Sequence, residues 1–147
     1  EPAIHKSPYN ILVGYWKFIA TVKKSVEDNM DNPSFNVDVL CNLLNMSRTS
    51  FYNKIKALTD QAPADYIRLI RLKHAAQLLK EQKHTITEIS ELTGFSDAKY
   101  FREVFKKHFD MSPSQYAKRG KEGKDDKEIK EKARLMIIQQ KCSLLSG

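Results

Sequence analysis

Apolar residues recur at spacings of three and four along most of the chain, and the strict alternation typical of β-strands is absent. Spacings of three and four place side chains on one face of an α-helix. The first such stripe lies between about residues 10 and 30 and contains Leu12, Trp16, Ile19 and Val26. The pattern predicts an all-α fold that begins with an amphipathic helix.

A short helix, a tight turn and a second helix are predicted within residues 36–59, NVDVLCNLLNMSRTSFYNKIKALT. Asn36 and Ser47 are suited to cap the N-termini of the two helices, and Asn45 tolerates the left-handed conformation that ends the first. Two short helices joined in this way form a helix-turn-helix unit. The predicted inward residues are Val37, Leu40, Leu43 and Leu44 in the first helix, and Phe51, Ile55 and Leu58 in the second.

The same unit recurs about 49 residues further along the chain, and the offset becomes 50 after the turn because one residue is inserted. In the turn, Asn45 aligns with Gly94, and Ser47 aligns with Ser96. Similar apolar spacing alone could arise by chance, but the turn, the cap, the inward aromatic and the following proline also agree, which indicates a duplication. The other aligned pairs are Val37 with Ile86, Leu40 with Ile89, Leu43 with Leu92, Met46 with Phe95, Phe51 with Phe101, Ile55 with Phe105, Pro63 with Pro113 and Tyr66 with Tyr116.

A longer helix, PADYIRLIRLKHAAQLLKEQ, is predicted between the two units, with Pro63 at its first position. A helix of about 18 residues is about 27 Å long. Successive major grooves on one face of B-DNA are about 34 Å apart, so this helix could hold two units near that separation. The predicted organisation is a linker at 1–9, an N-terminal helix and first unit at 10–62, a linker helix at 63–82, a second unit at 83–118, and a charged linker with a tail helix at 119–147.

The chain of 147 residues carries 25 Lys and Arg against 18 Asp and Glu, a formal net charge of +7. An excess of positive charge favours anionic partners such as nucleic acid or a membrane surface, and charge alone does not choose between them. No apolar run approaches the roughly 18–20 residues of a membrane span, and the first residues lack the pattern of a signal peptide. We therefore expect a cytoplasmic protein without membrane contact in this segment.

Candidates for catalysis or metal binding are few. Cys41 and Cys142 lie far apart, and Cys41 falls on an apolar helix face. The histidines are scattered, with no pair four residues apart on one helical face. The sequence contains no Gly-rich phosphate loop and no recognisable nucleophile with its base. We expect no enzyme activity, no metal and no cofactor.

Residues from about 18 to 118 resemble the AraC/XylS family DNA-binding domain. The resemblance rests on RLIRLKHAAQLLK, on ITEISELTGFSDAKYFREVFKKHFDMSPSQY and on the duplicated unit, and it departs at Asn45, where the family usually has Gly. The stretch NPSFNVDVLCNLLNMSRTSFYNKIKALT further resembles the output domain of hybrid two-component regulators of gut Bacteroidetes, in which a sensor lies upstream.

The resemblance implies a sequence-specific transcription regulator that binds double-stranded DNA at an asymmetric bipartite site, with RNA polymerase as a further candidate partner. It implies that two recognition helices enter successive major grooves on one face of the DNA. The expected base-contacting residues are Thr49, Tyr52, Asn53, Ala98, Lys99, Arg102 and Glu103. Asn53 is suited to adenine, Arg102 or Lys99 to guanine, and Glu103 to cytosine.

Other basic groups, together with the helix N-termini, are expected to contact phosphates, which fixes the position of a protein without selecting a sequence. The alternative for each residue is an ordinary solvated helix face. The expected phosphate-contacting residues are Ser47, Arg48, Lys54, Lys56, Arg71, Ser96, Lys106, Lys107 and Lys118.

The final stretch, KRGKEGKDDKEIKEKARLMIIQQKCSLLSG, begins as a charged linker and becomes an amphipathic helix with Ile129, Ala133, Met136 and Ile137 on one side. Docking on the body, self-association and partial disorder are all compatible with this pattern, and self-association through missing upstream domains is a further alternative. Two rival functions follow: a basic helical protein–protein interaction module that uses the tail helix, and an alkyl-group acceptor enzyme, which requires a reactive cysteine.

Overall fold

The computed structural model describes residues 8–119 and 134–140, and every regular element in these ranges is an α-helix. The prediction of an all-α fold is therefore confirmed. Residues 134–140 are also helical, and we call them the tail helix. The other helices are α1 (Pro8–Asp28), α2 (Val37–Leu43), α3 (Arg48–Thr59), α4 (Pro63–Glu81), α5 (Ile86–Leu92), α6 (Ala98–Phe109) and α7 (Pro113–Arg119).

Two hydrophobic cores divide the described helices, and α4 contributes to both. The first core is formed by α1, α2, α3 and the N-terminal part of α4, where Tyr66, Ile67 and Ile70 are buried. The second core is formed by the rest of α4, with Leu72 and Ala75 buried, together with α5, α6 and side chains of α7. Because one continuous helix is packed into both cores, it connects the two helix-turn-helix units directly.

The turns of the two units have the same hydrogen-bond pattern. Asn45 (φ 56°) and Gly94 (φ 79°) adopt the left-handed conformation, as is common just after the C-terminus of a helix. Each donates its N–H to the carbonyl three residues earlier, and the next residue donates to the carbonyl five residues earlier. The distances are 3.2 Å from Asn45 N to Asn42 O, 2.9 Å from Met46 N to Cys41 O, 3.1 Å from Gly94 N to Glu91 O and 2.8 Å from Phe95 N to Ser90 O.

The inward faces of α2 and α5 differ from the prediction at one equivalent position. Leu40 and Ile89 are fully buried as predicted, but Leu43 is 60% exposed and Leu92 is 40% exposed. The buried side of α2 is centred between Leu40 and Cys41, and Leu43 lies roughly a third of a turn away from that centre. The prediction that Leu43 and Leu92 point inward was therefore wrong.

Helix α1 covers the first core with one face. Ile19 and Val26 are buried, as the stripe predicted, and Val22 is buried with them, whereas Trp16 is 44% exposed. The Phe18 ring packs edge-on against Phe51 of α3, with ring centroids 6.0 Å apart. The N-terminal helix thus supports the first recognition helix from behind.

The left-handed conformation of Asn45 generates a stability prediction. We expect Asn45→Ala to lower the free energy of unfolding by about 1 kcal/mol, because a Cβ without a compensating polar group is unfavourable there. Asn45→Gly should be close to neutral, since relief of strain offsets the greater freedom of the unfolded chain. Denaturant unfolding measures both. Asn42→Ala, at an exposed helical position of α2, is the control, and equal stability of both Ala variants would contradict the prediction.

Candidate nucleic-acid interface

Helix α3 presents one buried and one exposed face. Phe51, Ile55 and Leu58 are buried in the first core, as predicted. The Ser47 hydroxyl oxygen accepts a hydrogen bond from the Ser50 N–H at 3.1 Å, which caps the N-terminus of the helix. The packing on one side and the cap at the start fix which residues face outward.

Helix α6 repeats this arrangement in the second core. Phe101 and Phe105 are fully buried, and their ring centroids are 5.7 Å apart. Phe109 and Tyr116 extend the aromatic cluster at 4.4 and 5.4 Å from the Phe105 ring. Aromatic contacts at these distances hold ring orientations as well as positions, so the outward face of α6 is rigidly positioned.

The exposed stripes of the two helices carry the predicted base-contacting residues. Both stripes follow the i, i+3, i+4, i+7 spacing of one helical face, and all of their members are exposed. Ala98, at the first position of α6, is partly buried. The stripes are Thr49, Tyr52, Asn53 and Lys56 on α3, and Lys99, Arg102, Glu103 and Lys106 on α6.

Three of the predicted phosphate-contacting residues lie outside these stripes, Arg48 on α3, Lys107 on α6 and Lys118 on α7. Arg48, Lys107 and Lys118 are exposed. The Arg48 guanidinium is 2.8 Å from the Asp38 carboxylate in an exposed ion pair. Exposed pairs contribute little to stability, so the pair leaves Arg48 available to a phosphate.

Lys54 lies on the side of α3 that faces α1. Its ammonium nitrogen is 4.5 Å from the centroid of the Phe18 ring, a favourable cation–π geometry. Lys54 is partly buried and lies outside the exposed stripe, to which Lys56 belongs. Its contact with phosphate remains a prediction.

The burial of Arg71 contradicts the prediction that this residue contacts a phosphate. The residue is only 5% exposed, and its guanidinium donates to four backbone carbonyl oxygens. Burial lowers the pKa of the Arg71 guanidinium, and the charge of Asp31 opposes that shift. Arginine nevertheless stays protonated in proteins because its ordinary pKa is so high. The charge predicted for the surface is thus held inside the protein.

The N-terminus of α6 also differs from the prediction. Asp97 is the N-cap residue, and its carboxylate accepts from the Lys99 N–H at 2.9 Å. Ser96, which was expected to cap this helix, is the preceding exposed residue. The inserted residue shifts the cap by one position, and an acidic cap is favourable at a helix N-terminus. A carboxylate there repels a phosphate, so the two units differ at this point.

Two further arginines make contacts that the sequence pattern did not predict. Arg68 on α4 is 2.5 Å from Asp65 and donates to the Tyr100 hydroxyl of α6 at 3.4 Å. Arg134 of the tail helix donates to the carbonyl oxygen of Thr59, in the last turn of α3, at 2.6 Å. A cation at the C-terminus of a helix is favourable, and only the tertiary structure brings residues 75 positions apart together.

The tail helix packs on the first core, which is one of the three alternatives that the sequence left open. Ile138 packs against the first core, and Leu135 lines a cavity together with Ile19 and Leu58. Met136 and Ile137, two members of the predicted apolar side, are 62% and 51% exposed and point away from the first core. Ile129 and Ala133, predicted on the same face, lie outside the described residues.

The described residues contain no cluster of His, Cys, Asp and Glu suited to a metal ion. Cys41 is buried. Burial raises the pKa of its thiol; the charge of Arg48 lowers that pKa and the charge of Asp38 raises it, each by less than burial does. A raised pKa disfavours the thiolate, which is the nucleophilic form. In the described part of the chain, no helix is both long and apolar enough to span a bilayer.

A family model described as "Helix-turn-helix domain" matches residues 40–119. Together with the two capped recognition helices, this match shows the class: a double helix-turn-helix DNA-binding domain. The chain belongs to the AraC/XylS family of helix-turn-helix transcription regulators.

Individual proteins and solved structures are also similar to this chain. The chain is 49% identical over 96 residues to "Histidine kinase P4" of Formosa agariphila, a match that covers 65% of this chain and 7% of that protein. It is 27% identical to the C-terminal domain of the two-component response regulator yesN from Fusobacterium nucleatum, with a TM-score of 0.63, covering 69% of this chain and 98% of that domain. The DNA-binding domain of AdpA, solved with a target DNA, is 25% identical, with a TM-score of 0.62 and coverage of 68% and 89%.

The burial of Cys41 generates a reactivity prediction. In a Cys142→Ser variant, Cys41 should react with a disulfide reagent at pH 8 at least about tenfold more slowly in the folded protein than in urea, because burial blocks access and a raised pKa leaves less thiolate at that pH. The reaction rate is followed by absorbance. Equal rates in both states would contradict the prediction and revive the alkyl-acceptor alternative.

Proposed function

We propose that this chain binds an asymmetric bipartite site in double-stranded DNA, with α3 and α6 in successive major grooves on one face. The observation that carries the proposal is the matched exposed stripe on two capped helices, each backed by its own core and both connected through α4. Helix α4 has 19 residues and is about 28 Å long, which is close to the separation of successive grooves.

Base contacts are assigned to the exposed stripes. In the first half-site, Asn53 is suited to donate to and accept from one adenine, with Thr49 and Tyr52 beside it. In the second, Arg102 or Lys99 is suited to the two acceptors of guanine, and Glu103 to the amino group of cytosine. Ala98 is small enough to approach a thymine methyl group.

Phosphate contacts are assigned to Arg48, Lys54, Lys56, Lys106, Lys107 and Lys118, with Ser47 and Ser96 near the helix N-termini. Arg71 is removed from this set because it is buried. Six such cations release counterions when they neutralise phosphates, so affinity should depend steeply on salt.

We further propose that the chain is the output module of a signal-responsive two-component regulator. The 49% identity to a part of a histidine kinase and the likeness to a response-regulator C-terminal domain support this proposal. The matched part is 7% of that histidine kinase; a sensor upstream, a cytoplasmic location, a contact with RNA polymerase and the absence of enzyme activity are therefore proposals for the whole protein.

The rival proposal of a protein-interaction module rests on the tail helix. The packing of Ile138 on the first core and the bond from Arg134 to Thr59 leave a smaller apolar face free than the sequence predicted. Met136 and Ile137 remain exposed and are the residues through which self-association would occur. DNA binding is favoured because α3 and α6 each have one face buried in a core and an exposed polar stripe on the other.

Selection from random duplexes tests the proposed function. The expected product is an asymmetric site with half-site centres about 10–10.5 base pairs apart. Affinity for that site should fall by roughly 10³ between 50 and 200 mM salt if about six phosphates are neutralised. Enrichment of no sequence, together with binding that is independent of salt, would favour the protein-interaction alternative.

Two substitutions on α6 separate base contact from phosphate contact. Arg102→Ala should reduce binding to the selected site by about 1–3 kcal/mol and relax the preference at one base pair. Lys106→Ala, one turn further along the same exposed face, should weaken specific and random duplexes alike. Titration of both variants against a panel of single-base substitutions measures the difference. Equal losses on every duplex for both variants would show that Arg102 does not contact a base.

A further inference from the structure

Arg71 lies at the point where α4 passes from one core to the other. Ile70 belongs to the first core and Leu72 to the second. A fully buried cation is unusual unless hydrogen bonds satisfy it. Because Arg71 lies between the two cores, its hydrogen-bond partners can join the two units.

The Arg71 guanidinium is hydrogen-bonded to both units. Nη1 donates to the Met30 carbonyl at 2.5 Å and to the Thr93 carbonyl at 2.8 Å. Nη2 donates to the carbonyls of Asn32 and Phe35 at 2.9 and 3.2 Å. Met30, Asn32 and Phe35 connect α1 to α2 in the first unit, whereas Thr93 ends α5 in the second. One planar group thus fixes two backbone segments that are far apart in sequence.

Gly94 provides the space that this arrangement requires. A Cβ atom at position 94 would overlap Nη1 of Arg71 and press against the Met30 carbonyl oxygen. Asn45 holds the equivalent left-handed position in the first unit with a side chain present. The close approach of Arg71 therefore explains glycine at position 94 more fully than the backbone conformation does.

In the described part of the chain, the helices of the two units pack mainly on α4 and not on each other. Helix α4 packs extensively against helices of both units, whereas α1, α2 and α3 pack only sparsely against α5, α6 and α7. The Arg68 bond to Tyr100 is long, at 3.4 Å, and lies at the surface. The Arg71 bonds, by contrast, are buried and reach backbone carbonyls of both units.

We infer that Arg71 is a positioning residue for DNA recognition: by binding the α1–α2 segment and the α5–α6 turn together, it sets the orientation of one recognition helix relative to the other and thereby the half-site spacing that the protein accepts. The inference rests on the proposed function, because spacing has meaning only if both helices enter DNA. A change of one base pair moves a half-site by about 3.4 Å and rotates it by about 35°. A rigid connection must discriminate against such a change, and a loose one cannot.

A measurement without DNA tests the structural part of this inference. Spin labels are attached at Lys56→Cys and Lys106→Cys in a Cys142→Ser background, in which Cys41 is buried. Pulsed electron paramagnetic resonance measures the distance between the two labels. We expect one narrow distance distribution for the parent protein and a broader or shifted one for Arg71→Lys. Lysine keeps the charge but cannot form the planar set of bonds. Arg68→Lys, the same change at a more exposed site on the same helix, should leave the distribution narrow.

A substitution at Gly94 disrupts the Arg71 hydrogen bonds from the α5–α6 turn. Gly94→Asn preserves a left-handed backbone that Asn tolerates, but its Cβ displaces the guanidinium. It should broaden the distribution as Arg71→Lys does, and combining the two changes should add little, because both break one interaction. Circular dichroism confirms that each variant is folded. Narrow, parent-like distributions for folded Arg71→Lys and Gly94→Asn, or equal broadening by Arg68→Lys, would overturn the inference.

DNA binding then tests spacing, with unlabelled variants of the natural chain. The parent protein should lose at least about tenfold in affinity when one base pair is inserted between half-sites, which equals 1.4 kcal/mol. For Arg71→Lys that penalty should shrink to about threefold or less, while affinity for a single half-site stays within about twofold of the parent. A uniform loss on all probes would contradict the role of Arg71 in spacing. Failure of the parent to select any duplex would instead reject the proposed function, whatever the label distances show.

Discussion

The packing of α4 into both cores is the constraint on which the rest of the structure depends. Its N-terminal part buries Tyr66, Ile67 and Ile70 with the first unit, and its C-terminal part buries Leu72, Ala75 and Leu79 with the second. Full burial of one large aliphatic side chain contributes about 1.5–3 kcal/mol. Neither unit can leave α4 without losing several such contributions, so the helix cannot bend or slide freely. Each core therefore fixes the outward face of its own recognition helix, α3 or α6, relative to the shared helix α4.

Hydrophobic packing fixes α4 in each core but does not by itself fix the loops where the two units meet. Arg71 holds these loops by hydrogen bonds to their backbone carbonyls. A charge-assisted hydrogen bond contributes about 1.5–3 kcal/mol, and an unsatisfied buried carbonyl costs about 1–3 kcal/mol. These gains are largely offset by the cost of desolvating a guanidinium. The net stabilisation is therefore small, whereas the geometric effect is large, because a planar donor accepts only a narrow range of carbonyl positions.

Periodicity was sufficient to predict the all-α fold, the duplicated turn at Asn45 and Gly94, and the buried Phe51 and Phe101, because these depend on local spacing. Arg71 was misplaced because its charge was given more weight than its position, although it lies four residues after Ile67 and four before Ala75 on the buried face of α4. Ser96 was misplaced because the insertion shifts the cap to Asp97. The bond from Arg134 to Thr59 depends on tertiary contact, for which the local sequence carries no signal.

The two units share a scaffold but differ in the side chains that they expose, and under the proposed function this difference sets the kind of DNA site that the protein recognises. The stripe on α3 begins with the neutral side chains of Thr49, Tyr52 and Asn53, whereas the equivalent positions on α6 carry Lys99, Arg102 and Glu103. Neutral hydroxyl and amide groups pair with other base edges than charged groups do, so the proposed base contacts require half-sites that differ in sequence. Unlike half-sites give a bound monomer one orientation along the DNA, which a symmetric dimer cannot have. Under the proposed function, the duplication therefore accounts for the spacing of the two half-sites, and the divergence of the two stripes accounts for the direction in which the protein binds.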